Sequence, residues 1–112
     1  MADDEVERGS GNVFADLGFP RPEEYKAKVL LALRIKDRIA DQNLTQQDAA
    51  HRMALSQAGV SKISRGIVSG FTFDRLFRCL NALDQSVRIV LESAPEEPGR
   101  GRLSVEGAVA GA

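Results

Sequence analysis

Apolar residues recur at intervals of three and four between residues 22 and 42, a spacing that predicts an amphipathic helix. Pro22 suits the first helical turn, because an N–H at that position would have no partner inside the helix. Glu23 and Glu24 follow it and favour the positive end of the helix dipole. The sequence therefore predicts a first helix from about Pro22 to Gln42.

One side of this first helix is predicted to face the core, with polar residues such as Arg38 and Asp41 largely opposite. The predicted core-facing residues are Val29, Ala32, Leu33, Ile39 and Ala40. Leu31 and Ile35 fall outside this stripe. They are expected to pack against either the segment 13–15 (Val-Phe-Ala) or a second protein chain. Packing against the protein's own segment is favoured.

Two short helices with almost no linker are predicted next. The hydroxyl of Thr45 can cap the first of them, and Asp48 three residues later makes an imperfect capping box. This helix is predicted to end around Met53. Residues 54–55 then form a tight connection, and Ser56 can cap the following helix.

That third helix is predicted to run from Gln57 to about Ser64, with Gly66 as its stop signal. A fourth helix is predicted after the cap Thr72, ending near Asp84. Its apolar stripe closes the core and consists of Phe73, Leu76, Phe77, Leu80 and Leu83.

Residues 86–92 (Ser-Val-Arg-Ile-Val-Leu-Glu) are few and rich in β-branched side chains, which predicts a lone strand. A lone strand leaves its backbone donors and acceptors unpaired. The expected partner is the same strand of a second copy, in a pairing that buries Val87, Ile89 and Leu91 or their alternates.

These elements predict one compact, mainly α domain of four to five helices with a short C-terminal β-strand used in dimerisation. The domain is expected over residues 12–92, between a disordered acidic tail at 1–11 and a flexible tail at 93–112. Within the second tail, residues 103–109 could order weakly against a partner.

The charge distribution changes what the composition implies about partners. The formal net charge of −1 disfavours a polyanionic ligand. However, residues 21–91 carry 12 Lys and Arg against 7 Asp and Glu, a net +5, while the flanks carry 3 against 9. The middle of the chain is therefore basic and compatible with nucleic acid.

Other function classes find little support in the residue pattern. No run approaches the ~20 apolar residues of a membrane span, and the acidic start lacks a signal peptide's features, so a cytoplasmic protein is expected. Cys79 is the single cysteine and His51 the single histidine, so no metal site is predicted. No nucleophile and base pair is visible. We predict no catalytic residues and no cofactor.

Residues 45–66 resemble the helix-turn-helix of the Xre and lambda-repressor family. In that family a Gln opens the first helix, a small residue lies where the two helices touch, and a Val on the second helix packs inward. Gln46, Ala50 and Val60 match those positions. Two helices crossing at about 90–120° need a small side chain at their contact. The family often has Gly where Ala54 stands, so the turn here could be built differently.

The resemblance implies that the second helix of the pair enters the major groove of DNA. Gln57 can pair with both N6 and N7 of adenine, and Lys62 can donate to guanine, while Ser61 could add one bond. Thr45 and Gln46 would grip a phosphate, and Gln46 would brace Gln57. The DNA-binding residues implied are Thr45, Gln46, Arg52, Ser56, Gln57, Ala58, Ser61, Lys62 and Arg65, of which Arg52 and Arg65 are phosphate contacts.

Residues 12–18 and 69–72 further resemble the HigA-like antitoxins, whose layout fits residues 12–92. That resemblance implies a homodimer that represses its own operon at a near-palindromic operator and binds a ribonuclease toxin. A stand-alone Xre-type regulator shares the same domain, and an all-helical protein-interaction module is a further alternative.

Overall fold

The computed structural model describes residues 22–94, 99 and 101–107, and this part of the chain contains four α-helices. The predicted tail at 1–11 and the segment 13–15 lie outside the described residues. The four helices lie close to their predicted positions, and no fifth helix is found among the described residues. Their bounds are α1 Pro22–Asp41, α2 Gln46–Met53, α3 Gln57–Ser64 and α4 Phe73–Ala82.

The four helices pack around one apolar core, in which α1 and α2 each contact both α3 and α4. The core is aliphatic apart from Met53 and Cys79, because the buried side chains come from Ala, Val, Ile and Leu. Its buried members are Leu31, Ala32, Ile35, Ala49, Ala50, Met53, Val60, Ile63, Val68, Leu76, Cys79, Leu80 and Leu83. Phe73 and Phe77 pack on its edge.

The predicted core face of α1 is correct only in part. Ile35 is 0% exposed and Leu31 is also buried, whereas Leu33 is 42% exposed and Ala40 is exposed. Of the predicted stripe only Ala32 is buried, with Val29 and Ile39 partly buried.

The buried arc of α1 is rotated from the predicted one by about 100°, the turn of one residue. The cause is composition: apolar residues occur on nearly every side of this helix, so periodicity does not single out one face. Packing against α3 and α4 decides instead which side is buried.

The helix ends confirm the predictions made from local sequence. The side chains of Thr45, Ser56 and Thr72 each accept a hydrogen bond from the backbone N–H of the third residue after them. Thr45 N–H also donates to the Asp48 carboxylate, so the predicted capping box is present. Gly66 follows α3 with a φ of +76°, the left-handed conformation that favours glycine after a helix.

Two side chains bind the carboxyl end of α4, one from α1 and one from Gln42, the residue that follows α1. Arg38 Nε and Gln42 Nε2 both donate to the Leu83 carbonyl, at 3.2 and 2.7 Å. Arg38 was predicted to lie opposite the core, but its guanidinium reaches across to α4. A helix leaves its last carbonyls without internal partners, and these donors satisfy one of them.

Residues 86–92 form no regular element in the single chain described. Val87 packs against the core, while Ile89, Val90 and Leu91 are 69%, 59% and 91% exposed. A strand is defined by hydrogen bonds to a neighbour, and a lone chain offers none here. The predicted strand and its pairing therefore stay predictions.

Part of the predicted C-terminal tail lies against α1. The Leu103 N–H donates to the Glu23 carboxylate at 3.2 Å, and Val105 packs against the core. Residues 101–107 thus have at least two contacts with the helical domain.

Candidate nucleic-acid interface

The residues with predicted DNA contacts converge on the α2–α3 unit. α2 contacts α3 directly, and Ala50 is buried at 7% exposure. Its methyl group leaves room for the two helices to approach closely, as the resemblance implied. Val60 and Ile63 on α3, and Met53 on α2, anchor the pair to the core.

α3 presents one polar face away from the core. Positions 57, 58, 61, 62 and 65 fall within about 140° of one another on a helical wheel, whereas the buried Val60 and Ile63 lie on the opposite side. Gln57, Ala58, Lys62 and Arg65 are exposed, and Ser61 is half-buried. We call residues 57, 58, 61, 62 and 65 the reading face.

Two long polar side chains of the reading face are uncommitted within the described part of the protein. Neither Gln57 nor Lys62 forms a side-chain hydrogen bond or ion pair there, and neither does Gln46 on α2. The predicted bracing of Gln57 by Gln46 is thus not made in this structure. Donors and acceptors that lack protein partners are available to an external ligand.

The turn between α2 and α3 is built on Ala54. This residue takes the left-handed conformation itself, with φ 56° and ψ 43°, although it is not glycine. The Leu55 N–H donates to the Ala50 carbonyl at 2.9 Å and closes the turn. An L-residue pays about 1–2 kcal/mol for this conformation. The turn is therefore the expected short one, with strain stored at Ala54.

The amino end of α2 lies at the surface. Thr45 and Gln46 are both exposed, and they lie at the positive end of the helix dipole. Thr45 uses a lone pair to cap the helix, and its hydroxyl hydrogen remains able to donate.

Arg52 is engaged within the protein. Its Nη2 donates to the Ala82 carbonyl at 2.9 Å and lies 3.3 Å from the Asp84 carboxylate, and its Nη1 donates to the Gln42 side chain. The predicted phosphate contact would require Arg52 to leave these partners. Sequence reasoning missed this link because its partners are 10 to 32 residues away.

Arg65 follows α3 and folds back onto it. Its backbone N–H and its Nε both lie within hydrogen-bonding distance of the Ser61 carbonyl, at 3.1 and 3.4 Å. The two terminal nitrogens have no partner in the described residues.

The single histidine and the single cysteine lie away from the reading face. His51 is exposed on α2. Cys79 is buried in the core, and burial raises the pKa of its thiol despite the nearby positive charge of Arg75. The described residues contain no group of three or more His, Cys, Asp or Glu placed to hold a metal, and no helix among them is long and apolar enough to cross a membrane.

Comparison with known proteins addresses the family directly. The profile of a helix-turn-helix domain family matches residues 13–92. A solved structure assigned to the XRE family of transcriptional regulators superposes with a TM-score of 0.69 and 37% sequence identity, over 78% of this chain and 98% of that one. The chain belongs to the XRE helix-turn-helix family. No curated protein matches the sequence.

In this XRE-family protein the profile match contains the whole α2–α3 unit and the reading face, and it continues through the apolar residues 89–91. The solved relative is matched over nearly all of its own length. The family membership thus rests on the complete helical domain.

Proposed function

We propose that this XRE-family protein is a sequence-specific DNA-binding transcriptional repressor that acts as a homodimer. We further propose that it is the antitoxin of a type II toxin–antitoxin pair and represses its own operon. The observation that carries the DNA-binding role is the reading face, where Gln57 and Lys62 are exposed and uncommitted. A helix with a buried apolar side and such a face fits the major groove.

The chemistry of this face matches base edges. The Gln57 amide donates and accepts together, as the N6 and N7 groups of adenine require, and Lys62 can donate to O6 or N7 of guanine. Ser61 adds a hydroxyl and Ala58 a methyl group, which suits the methyl of thymine.

Phosphate contacts would fix the orientation of this face. Ser56 and Thr45 place hydroxyls at the amino ends of α3 and α2, and Gln46 adds an uncommitted amide. Backbone N–H groups at a helix start favour anions. Lys62 and Arg65 add positive charge at the other end of α3.

We expect Arg65→Ala to weaken binding to all duplexes alike and to lower the slope of log affinity against log salt by about one unit, because one released counterion corresponds to one phosphate contact. Affinities measured at several salt concentrations check this. Arg78→Ala is the matched control, since that guanidinium pairs with Asp74 on α4. An unchanged slope for Arg65→Ala would reject the phosphate contact.

The dimer proposal is supported by the apolar residues that the single chain leaves uncovered. Ile89, Val90 and Leu91 are each more than half exposed. Pairing residues 86–92 with the same residues of a second copy would satisfy their backbone groups and cover these side chains. Two copies would also present two reading faces roughly 34–36 Å apart, which fits a near-palindromic operator.

The antitoxin role rests on the resemblance of residues 69–72, in the loop before α4, and of 12–18, outside the described residues. Two alternatives remain: a stand-alone XRE-type regulator, and a helical interaction module. A small basic ribonuclease-like reading frame beside this gene, whose product binds this chain, would support the antitoxin role. A protein that shifts no duplex from a random pool would be an interaction module instead.

The central test is Gln57→Ala, assayed on a duplex that the native protein selects from a random pool. We expect the variant to lose about 1–3 kcal/mol of affinity for that operator, because a bidentate base contact disappears while the core is untouched. Affinity for a scrambled duplex should barely change.

The matched control is Gln47→Ala, which removes an exposed glutamine amide from α2 instead of α3. Its ratio of operator to scrambled affinity should equal that of the native protein. Equal losses of the Gln57 variant on both duplexes would show that Gln57 does not read bases.

A further inference from the structure

Arg75 connects α4 to the turn that precedes the reading face. It lies in the first turn of α4, where its backbone N–H donates to the capping hydroxyl of Thr72. Its Nη2 donates to the Ala54 carbonyl at 3.3 Å, across a sequence separation of 21 residues. A side chain from the last helix thus holds the backbone between the first and second helices of the helix-turn-helix.

The acceptor of this bond is the strained residue of the turn. Ala54 has the left-handed conformation, and Ser56, two residues later, is the cap of α3. The Ala54 carbonyl also lies at the carboxyl end of α2, where the helix dipole is negative and a guanidinium is favoured. Arg75 therefore stabilises a backbone conformation that alanine disfavours, immediately before the start of α3.

The contact is not a by-product of an ion pair. Among the described residues, Asp74 pairs with Arg78 at 3.1 Å and Asp84 lies 3.3 Å from Arg52, and no carboxylate pairs with Arg75. The Ala54 carbonyl is the one protein acceptor of its guanidinium in this part of the chain.

We propose that Arg75 is a positioning residue for DNA recognition: it fixes the Ala54 turn and thereby the direction in which α3 presents Gln57. The inference rests on the proposed DNA-binding function. Base contacts require side chains held within a narrow geometry, whereas phosphate binding to any sequence tolerates a range of orientations. Loss of Arg75 therefore weakens operator binding more than binding to scrambled DNA.

The test compares Arg75→Met with Arg78→Met on the operator and a scrambled duplex. Both variants remove one positive charge from α4, so long-range electrostatic losses are matched. We expect Arg75→Met to reduce the ratio of operator to scrambled affinity about three- to tenfold, which corresponds to the net contribution of one ordinary hydrogen bond, because this bond is long and exposed. Arg78→Met should leave that ratio unchanged, and Arg75→Lys, which keeps a donor and the charge, should recover part of it.

The salt slope separates positioning from direct contact. Arg75→Met is expected to have the same slope as Arg78→Met. A slope lower by about one unit, with the ratio intact, would identify Arg75 as a plain phosphate contact and overturn the inference. The same ratio for both variants would also overturn it.

An NMR comparison of the free proteins tests the contact without DNA. In Arg75→Met the amide resonances of residues 55–57 should shift, and in Arg78→Met they should not. If the native protein discriminates no duplex, the proposed function fails whatever Arg75 does. If the native protein discriminates and neither the ratio nor these amides respond to Arg75→Met, only the positioning role fails.

Discussion

Replacing Ile35 by Ala is expected to lower the free energy of unfolding by about 2–5 kcal/mol, a large part of the stability of a small domain. Ile35 is 0% exposed, and it lies on the face of α1 that packs against α3 and α4. Truncation leaves a cavity that these helices cannot fully close. Urea unfolding followed by circular dichroism measures the change. The comparison requires that the free energy of unfolding fall with urea concentration at the same slope in the two proteins.

Leu33→Ala is the matched control on the same helix. Leu33 is 42% exposed, so its truncation should cost less than about 1 kcal/mol. This pair of variants compares the core face found in the structure with the one that the sequence pattern predicted. A larger loss at Leu33 than at Ile35 would contradict the packing described for α1.

Replacing Ile89 by Pro is expected to convert the proposed dimer into a monomer. Proline removes a backbone N–H and disfavours strand pairing. Because Ile89 is 69% exposed, the substitution should leave the packing of the helical core unchanged. Linking two binding units can raise apparent affinity by about 10²–10⁴, so operator binding should fall by two orders of magnitude or more. Sedimentation velocity and operator titration at micromolar and lower concentrations check both results.

Ser93→Pro is the control for this substitution, because residue 93 is exposed and lies just beyond the proposed strand. It should sediment as the native protein does. A native protein that is monomeric at micromolar concentration yet binds a palindrome tightly would show that residues 86–92 are not the dimer contact. A dimer that survives Ile89→Pro would show the same.

The helix ends could be predicted because their signals are local. A threonine or serine hydroxyl accepts a hydrogen bond from the N–H three residues later, as at Thr45, Ser56 and Thr72. Donor and acceptor are therefore close neighbours in the sequence. The order and approximate bounds of α1 to α4 followed from these caps and from apolar spacing. The residues of the reading face came instead from the family resemblance, and four of the five are exposed.

The errors concern interactions between elements far apart in sequence. The buried face of α1 depends on which side α3 and α4 approach, and apolar residues on all sides of α1 hide that choice. Nothing in the sequence indicates that Arg52, which was predicted as a phosphate contact, or Arg75 bonds to another part of the chain. Their acceptors, the carbonyls of Ala82 and Ala54, become neighbours only when the helices pack. Every residue has a backbone carbonyl, so the sequence does not show which carbonyl will accept a bond from a distant side chain.

The two helices of the helix-turn-helix are only eight residues long each. Isolated helices shorter than ~12–15 residues are marginal in water, so a synthetic peptide covering α2 and α3 should be unfolded and should bind no operator. The recognition unit is therefore not portable as a fragment. Transfer of its sequence preference to another protein requires grafting the exposed side chains of α3 onto a scaffold that already supplies the core beneath them.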